Sequence, residues 1–326
     1  GKKIVKSYNL VPVTRGTYNF GFTIMMVSTL FCLLDRKYKL GEPADISVYP
    51  SYVQLKKMEL IAFSNFNDIY GFKKLSRPGN NKEFEEIKEY IPGDDYRRIN
   101  WKATARRNKL MVNQYQDERA QNVYQLVDMG RTMKMPFEGM TLLDYSINSA
   151  LAVGNVVLKK YDRTGLITYS DHVHSFIPAD NRRSQIYNLL ETLYSQATQF
   201  QESNLEQVYL TLSRKAHGRS LLILYTNFES RLGLERQLPL LKKIARKHLV
   251  LLVSFVNSEL SLEISQRARN VEEVYFKTIA EKNMLEKRLF MDRLSHYGIM
   301  NLRVYPNELT LSVLNKYLEI KKQGLI

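Results

Sequence analysis

Four short apolar runs constrain this chain more than anything else in it. Val123 to Asp128, Leu221 to Tyr225, Leu249 to Phe255 and the weaker Ile299 to Val304 are each bounded by polar residues. An apolar run without alternation is what a strand buried on both faces requires. Between the runs lie segments with helical spacing. Leu143, Ile147, Ala150, Leu151, Gly154, Val157, Leu158 and Tyr161 form one. Ile186 to Tyr194 and Leu205 to Leu212 form two more, and others cover Leu234 to Lys247, Thr278 to Tyr297 and Asn307 to Lys322. Gly165 to Ile177 alternates and predicts two strands around Asp171. Strand and helix in alternation predict an α/β domain with a mainly parallel sheet covered on both faces.

That domain is assigned to residues 121–326. Residues 1–55 read differently: runs rich in Val, Ile, Tyr, Phe and Thr are broken by turn signals at Arg15-Gly16, Lys39 to Pro43 and Pro50. They predict a partial β-sandwich-like region. Residues 56–120 are assigned as a connector, with weak structure from Lys56 to Lys82.

The 326 residues carry 48 Lys and Arg against 33 Asp and Glu, a net charge of +15. Such an excess points to an anionic neighbour: nucleic acid, an anionic membrane surface or an acidic protein. Cys32 is the single cysteine, so no intrachain disulfide forms. No segment reaches the roughly 18–20 apolar residues that a membrane helix needs. There is no phosphate-binding glycine loop, no H-E-x-x-H and no G-x-S-x-G, so no enzyme class is indicated. His172 and His174 point to one face of a strand, but without a further ligand they are not read as a metal site.

The connector holds the most distinctive stretch, Glu83-Phe84-Glu85-Glu86-Ile87-Lys88-Glu89-Tyr90-Ile91-Pro92-Gly93-Asp94-Asp95-Tyr96-Arg97-Arg98-Ile99-Asn100-Trp101-Lys102-Ala103-Thr104-Ala105-Arg106. It resembles the signature of the family called domain of unknown function 58, a bacterial family in which such a block precedes a von Willebrand factor A-like domain. Tyr317-Leu318-Glu319-Ile320-Lys321 resembles the family's final helix, and Arg15-Gly16-Thr17-Tyr18 and Val48-Tyr49-Pro50 its N-terminal β region. The resemblance implies a von Willebrand A-like, Rossmann-like sheet with helices on both faces plus a smaller N-terminal β domain. It also implies an N-terminal membrane anchor outside this sequence, which opens on Gly1, a position at the cytoplasmic face of a membrane, and a MoxR-type ATPase as partner.

Within the block, Asp94 or Asp95 is expected to cap a short helix beginning near Tyr96, and Trp101 to pack between the two domains. Two readings stand side by side. The block is a rigid connector whose acids and arginines pair, or it is a docking surface built on Asp94, Asp95, Arg97, Arg98, Trp101 and Arg106. Arg97, Arg98, Lys102, Arg106, Arg107 and Lys109 put six cations within thirteen residues, the basis of an alternative nucleic-acid-binding reading. The interspersed acids argue against specific nucleic-acid binding.

The resemblance also implies where a metal would sit. Von Willebrand A-like domains hold Mg²⁺ through a D-x-S-x-S element, a later hydroxyl and a further acid. Here the matching positions are Asp128, Gly130, Thr132, Ser203 and Asn227. Gly130 lacks the hydroxyl and Asn227 the charge, so one carboxylate remains and the site is degenerate, with at most weak Mg²⁺ affinity. Each residue has a plainer role open to it: Ser203-Asn204-Leu205-Glu206 as a capping box, Asn227 in a turn, Asp128 as acceptor for loop amides. The expected function is a non-catalytic protein-protein interaction module.

Overall fold

A computed structural model describes residues 7, 9–12, 15–28, 35–50, 82–92, 94, 96–117, 120–198, 201–228, 231–256 and 270–325. The large domain is built on β7 (Asn122–Asp128), β10 (Arg163–Tyr169), β11 (Val173–Asp180), β12 (Leu221–Tyr225), β13 (Leu249–Phe255) and β14 (Ile299–Val304). They form one six-stranded sheet in the order β11-β10-β7-β12-β13-β14. All neighbours run parallel except the edge hairpin β10–β11. The chain therefore starts at the third position, winds to one edge, then crosses to wind to the other. This doubly wound, von Willebrand A-like arrangement is the one the apolar runs and the resemblance predict.

Alternate residues of the strands feed opposite faces. Leu221, Ile223 and Tyr225 join one core with α2 (Leu142–Lys159), α3 (Gln185–Tyr194) and α7 (Leu309–Lys322). Leu222 and Leu224 join the other with α4 (Leu205–Lys215) and α5 (Arg231–Ala245), and with Met291 near the end of α6 (Val271–Arg293). α2 is the most enclosed helix. Its start is fixed by a capping box in which Thr141 accepts from the Asp144 amide and Asp144 accepts from the Thr141 amide. Gly165 in β10 has no substitute: a Cβ there would stand 2.5 Å from the Tyr124 ring and 2.8 Å from the Ile177 carbonyl.

The N-terminal strands β1 (Gly16–Phe20), β2 (Thr23–Ser28), β3 (Asp35–Leu40) and β4 (Ala44–Val48) pair as β1–β4 and β2–β3. The described residues here form a nested antiparallel ribbon. It is fastened to the large domain by Arg15, which pairs with Asp144 and donates to the Gln196 carbonyl at 2.8 Å. Burial lowers the Arg15 pKa to about 10. The Tyr49 ring packs against Tyr194 in a tilted arrangement, centroids 5.1 Å apart, and its hydroxyl donates to Glu191 at 2.7 Å.

The signature block folds as a hairpin with a helix inserted. β5 (Lys82–Glu89) pairs antiparallel with β6 (Met111–Asp117), and α1 (Trp101–Arg107) fills the connection. Two expectations are corrected here. The cap of α1 is Asn100, whose side chain accepts from the Ala103 amide at 3.0 Å. Asp94 instead closes the preceding turn, accepting from the Ile91 amide and from Lys88, both at 3.1 Å. The short helix expected near Tyr96 forms as a 3-10 turn over Tyr96–Arg98, and a β-bridge from Ile99 to Val112 separates it from α1. Trp101 is 70% exposed and does not pack between domains. The connector segment expected to lack strong structure lies largely outside the described residues, as do Asp95 and the side chain of Arg98.

Candidate functional site

In a doubly wound sheet, ligands gather at the carboxyl ends of the strands where the winding reverses. Here that point lies between β10, β7 and β12. Parallel register sets Asp128 beside Tyr169 and Val127 beside Tyr225. Asp128 is therefore the last residue of the central strand. The loop after it carries Gly130 to Thr132, and the loop after β12 carries Thr226 and Asn227. The segment before α4 brings in Ser203, which is anchored because the Asn204 amide donates to the Ser170 carbonyl at 2.7 Å.

Asp128, Thr132, Ser203 and Asn227, named from sequence, line one cleft of about 330 Å³ together with Arg131, Thr226 and Arg236. Gly130 lies against the same group: an added Cβ would stand 2.1 Å from the Ser203 hydroxyl and 3.0 Å from an Asp128 oxygen. The five positions do converge, but they make a hydrogen-bonded knot. Asp128 is 1% exposed. Its Oδ1 accepts from the Gly130 amide at 2.8 Å and from the Ser203 hydroxyl, and its Oδ2 accepts from Thr226 at 2.6 Å. Tyr169 also reaches the carboxylate. Burial raises the Asp128 pKa, and these donors oppose the rise. Ser203 thus serves Asp128, while Asn204 is the residue that caps α4, accepting from the Glu206 amide at 3.0 Å. The Asn227 Oδ1 accepts from Lys287 of α6 at 3.3 Å.

This donor set does not fit a hard divalent cation. Such an ion needs several oxygen ligands with uncommitted lone pairs. The single carboxylate is already occupied by protein donors, and the space of the missing hydroxyl at 130 is filled by Ser203. An ammonium stands at the position where a second acid would be. Restoring one ligand at a time will not rebuild the site. Gly130→Ser must displace Ser203, and Asn227→Asp places its charge against Lys287, where an ion pair forms. We expect neither variant, nor the native chain, to retain a stoichiometric divalent ion after dialysis. Elemental analysis returning one ion per chain for the native protein would refute this.

Thr226, Tyr169 and Lys287 were not singled out from sequence. Thr226 was legible as a hydroxyl directly after a buried strand. Tyr169 follows from the β7–β10 register, which sequence does not give. Lys287 comes from a helix with little amphipathic pattern and carried no signal. Asp171 does add an oxygen to the ring nitrogens of His172 and His174, with all three ligand atoms within 4.8 Å. Asp171 and His172 lie in the turn before β11 and His174 at its start, and they are already bonded there: His172 to Asp171 at 2.8 Å, and His174 to Ser170 at 2.7 Å.

Beside the cleft, sharing Asn227 and Phe228 with it, runs a larger groove of about 950 Å³ lined by Met135, Phe137, Phe255, Phe276 and Ile279. Among the described residues, the signature block contributes nothing to either lining.

Comparison with known proteins agrees with the sequence resemblance. The profile of the family described as "Protein of unknown function DUF58" matches residues 86–265. "Uncharacterized protein Rv1480" of Mycobacterium tuberculosis is 25% identical over 182 residues, covering 55% of this chain and 56% of that protein. "Uncharacterized protein YeaD" of Bacillus subtilis is 23% identical over 127 residues, covering 39% of this chain and 31% of that one. The matched part thus spans between a third and about half of the length of these relatives. Among solved structures, the conserved hypothetical protein BatB from Bacteroides thetaiotaomicron is similar over 62% of this chain and 99% of its own, at 12% identity and a TM-score of 0.39.

Proposed function

The chain belongs to the family described as protein of unknown function DUF58, and on that premise we propose that it is a non-catalytic interaction module that docks a protein partner on the carboxyl edge of its sheet. One observation carries the reading. A polar cleft and an apolar groove meet at Asn227 and Phe228, and together they give the edge a specific polar centre beside a large apolar surface. That is the composition of a protein interface, where apolar anchors supply affinity and polar groups fix orientation. Tyr275, Phe276 and Ile279 on α6, all exposed, supply one apolar wall of the groove. At the cleft, the one buried acid is held by four donors, and the other acid of the lining, Glu202, is paired with Arg236, which suits binding better than catalysis.

The partner we propose is a MoxR-type ATPase, with the module held at the cytoplasmic face of a membrane by an anchor outside this sequence. The family resemblance supports both, and the basic excess suits an anionic surface nearby. Among the described residues no helix is long and apolar enough to cross a membrane.

The test is capture with the chain as bait. Tyr275→Ala with Phe276→Ala removes exposed apolar area, and Arg131→Glu reverses a charge at the cleft mouth. Each should reduce recovery of the ATPase at least several-fold while leaving the thermal midpoint within a few degrees. Undiminished capture by both folded variants would remove the sheet edge as the docking site.

A further inference from the structure

The exposure of Trp101 has a chemical setting. α1 presents Trp101, Lys102, Ala105 and Arg106 outward, at the spacing of one helical face, while Ala103 and Thr104 are partly covered. The Thr104 hydroxyl accepts from the Met111 amide at 3.0 Å, which pins the inner side of the helix to β6. Around the outer face stand other exposed apolar groups: Tyr96 at 68%, Ile91 at 60% and Leu110 at 46%. Arg97 lies over the Tyr96 ring, 5.7 Å from its centroid.

The charge of this tip is one-sided. From residue 88 to 109 the described side chains include the cations Lys88, Arg97, Lys102, Arg106, Arg107 and Lys109, against the acids Glu89 and Asp94. Both acids are matched at short range, Glu89 by Lys109 at 3.0 Å and Asp94 by Lys88 at 3.1 Å. Lys102, Arg106 and Arg107 add a positive field around an exposed indole, an exposed phenol and aliphatic side chains.

We propose that this tip is a peripheral membrane contact that seats Trp101, Tyr96 and Ile91 at the headgroup level of an anionic bilayer. Two features choose this occupant. Trp and Tyr flanked by Lys and Arg have the composition that settles at a bilayer interface, where one end of each ring is apolar and the other wet. Ile91 and Leu110 add aliphatic area that gains from an acyl boundary and has no place on a phosphate backbone. Charge complementarity supplies the attraction, each Lys or Arg near an anionic surface adding to binding and weakening as salt shortens the screening length. The contact is distinct from the sheet edge, so failure to capture a protein partner leaves it untouched.

The chain carries one tryptophan, so emission excited selectively from tryptophan, apart from the tyrosines, reports on this patch. The whole chain is titrated with vesicles of phosphatidylcholine, and separately with vesicles that include phosphatidylglycerol, at low and physiological salt. The anionic vesicles should shift the emission to the blue and co-sediment the protein, and zwitterionic vesicles should do neither. Lys102→Glu with Arg106→Glu should weaken partition at least about tenfold, with an unchanged thermal midpoint because both side chains are exposed. Trp101→Ala should reduce co-sedimentation, and Trp101→Phe should restore part of it. Absence of a blue shift with anionic vesicles at low salt overturns the proposal. So does co-sedimentation that persists in the charge-reversed variant, or a larger shift with a single-stranded oligonucleotide than with vesicles.

Discussion

Replacing Asp162 by alanine should destabilise the large domain by about 3–5 kcal/mol, the cost of breaking a buried ion pair from one side. Asp162 is 2% exposed. Its Oδ2 accepts from the Tyr317 hydroxyl at 2.5 Å and from Lys321 at 2.7 Å, and its Oδ1 accepts from the Gln121 amide at 3.1 Å. One carboxylate therefore ties the entry to β7, the turn between α2 and β10, and the final helix α7. Removing it leaves the buried Tyr317 phenol and the Gln121 amide without their acceptor, while Lys321, 33% exposed, keeps the Lys160 carbonyl and water. Tyr317 carries the imprint of the arrangement, since burial pushes its pKa up and the Asp162 charge adds to the rise. Tyr317→Phe removes a single donor and should cost about 1–2 kcal/mol. Urea unfolding of the two single variants and the double variant forms a cycle. If the clamp is real, the double variant falls well short of the sum, because the same bond is lost in each. Additive effects would mean that Asp162 and Tyr317 act separately and that α7 is held by its apolar face alone.

That clamp also shows what the sequence gives away and what it withholds. The stretch Tyr317-Leu318-Glu319-Ile320-Lys321 is recognisable as a pattern, and its helical spacing is plain. The reason Tyr317 and Lys321 stand four apart is Asp162, about 155 residues earlier, and no local rule connects them. The central strands were legible because a run such as Leu221 to Tyr225, apolar at every position, has few other places to go. Strand order was legible only through the resemblance. Trp101 was misjudged because a lone tryptophan is read as core by default, whereas α1 has seven residues and turns only its Ala103–Thr104 side inward. The helix expected from Tyr96 is two elements, a 3-10 turn at Tyr96–Arg98 and α1, which Asn100 caps. The bridge from Ile99 to Val112 divides them, and it depends on pairing with a strand that follows α1. At the candidate metal site the five positions named from sequence lie together at the sheet edge. Sequence could not say that the hydroxyls of Ser203 and Thr226 would turn toward the carboxylate.

The same carboxylate gives the sharpest separation between a metal site and a structural knot. Asp128→Ala strands the Ser203 and Thr226 hydroxyls and the Gly130 amide in a buried place, and at about 1–3 kcal/mol for each unmet group it should cost roughly 3 kcal/mol or more. Asp128→Asn should be far milder. Its amide oxygen serves the Gly130 amide and Ser203, and its NH₂ donates to the Thr226 hydroxyl, which can reverse its role. pH dependence distinguishes the native chain from Asp128→Asn. Burial holds the folded-state pKa of Asp128 above its unfolded value, so the folded state binds this proton more tightly. The stabilisation from Asp128 is then fully present below the unfolded pKa of about 3.9 and is lost as pH rises through the folded pKa. Relative to the native chain, Asp128→Asn should therefore gain stability on going from acid toward neutral pH, and added Mg²⁺ should shift the thermal midpoint of neither. A metal site makes the opposite demands on the same residue: it wants the ionised form, gains strength as pH rises, and is stabilised by Mg²⁺ in the native chain but not in Asp128→Asn. Thermal melts of the two proteins across pH, with and without Mg²⁺, decide between the two. A Mg²⁺-dependent rise confined to the native chain would mean that Ser203 and Thr226 turn away from Asp128 to admit the ion, and the knot would then be only the resting form of a metal site.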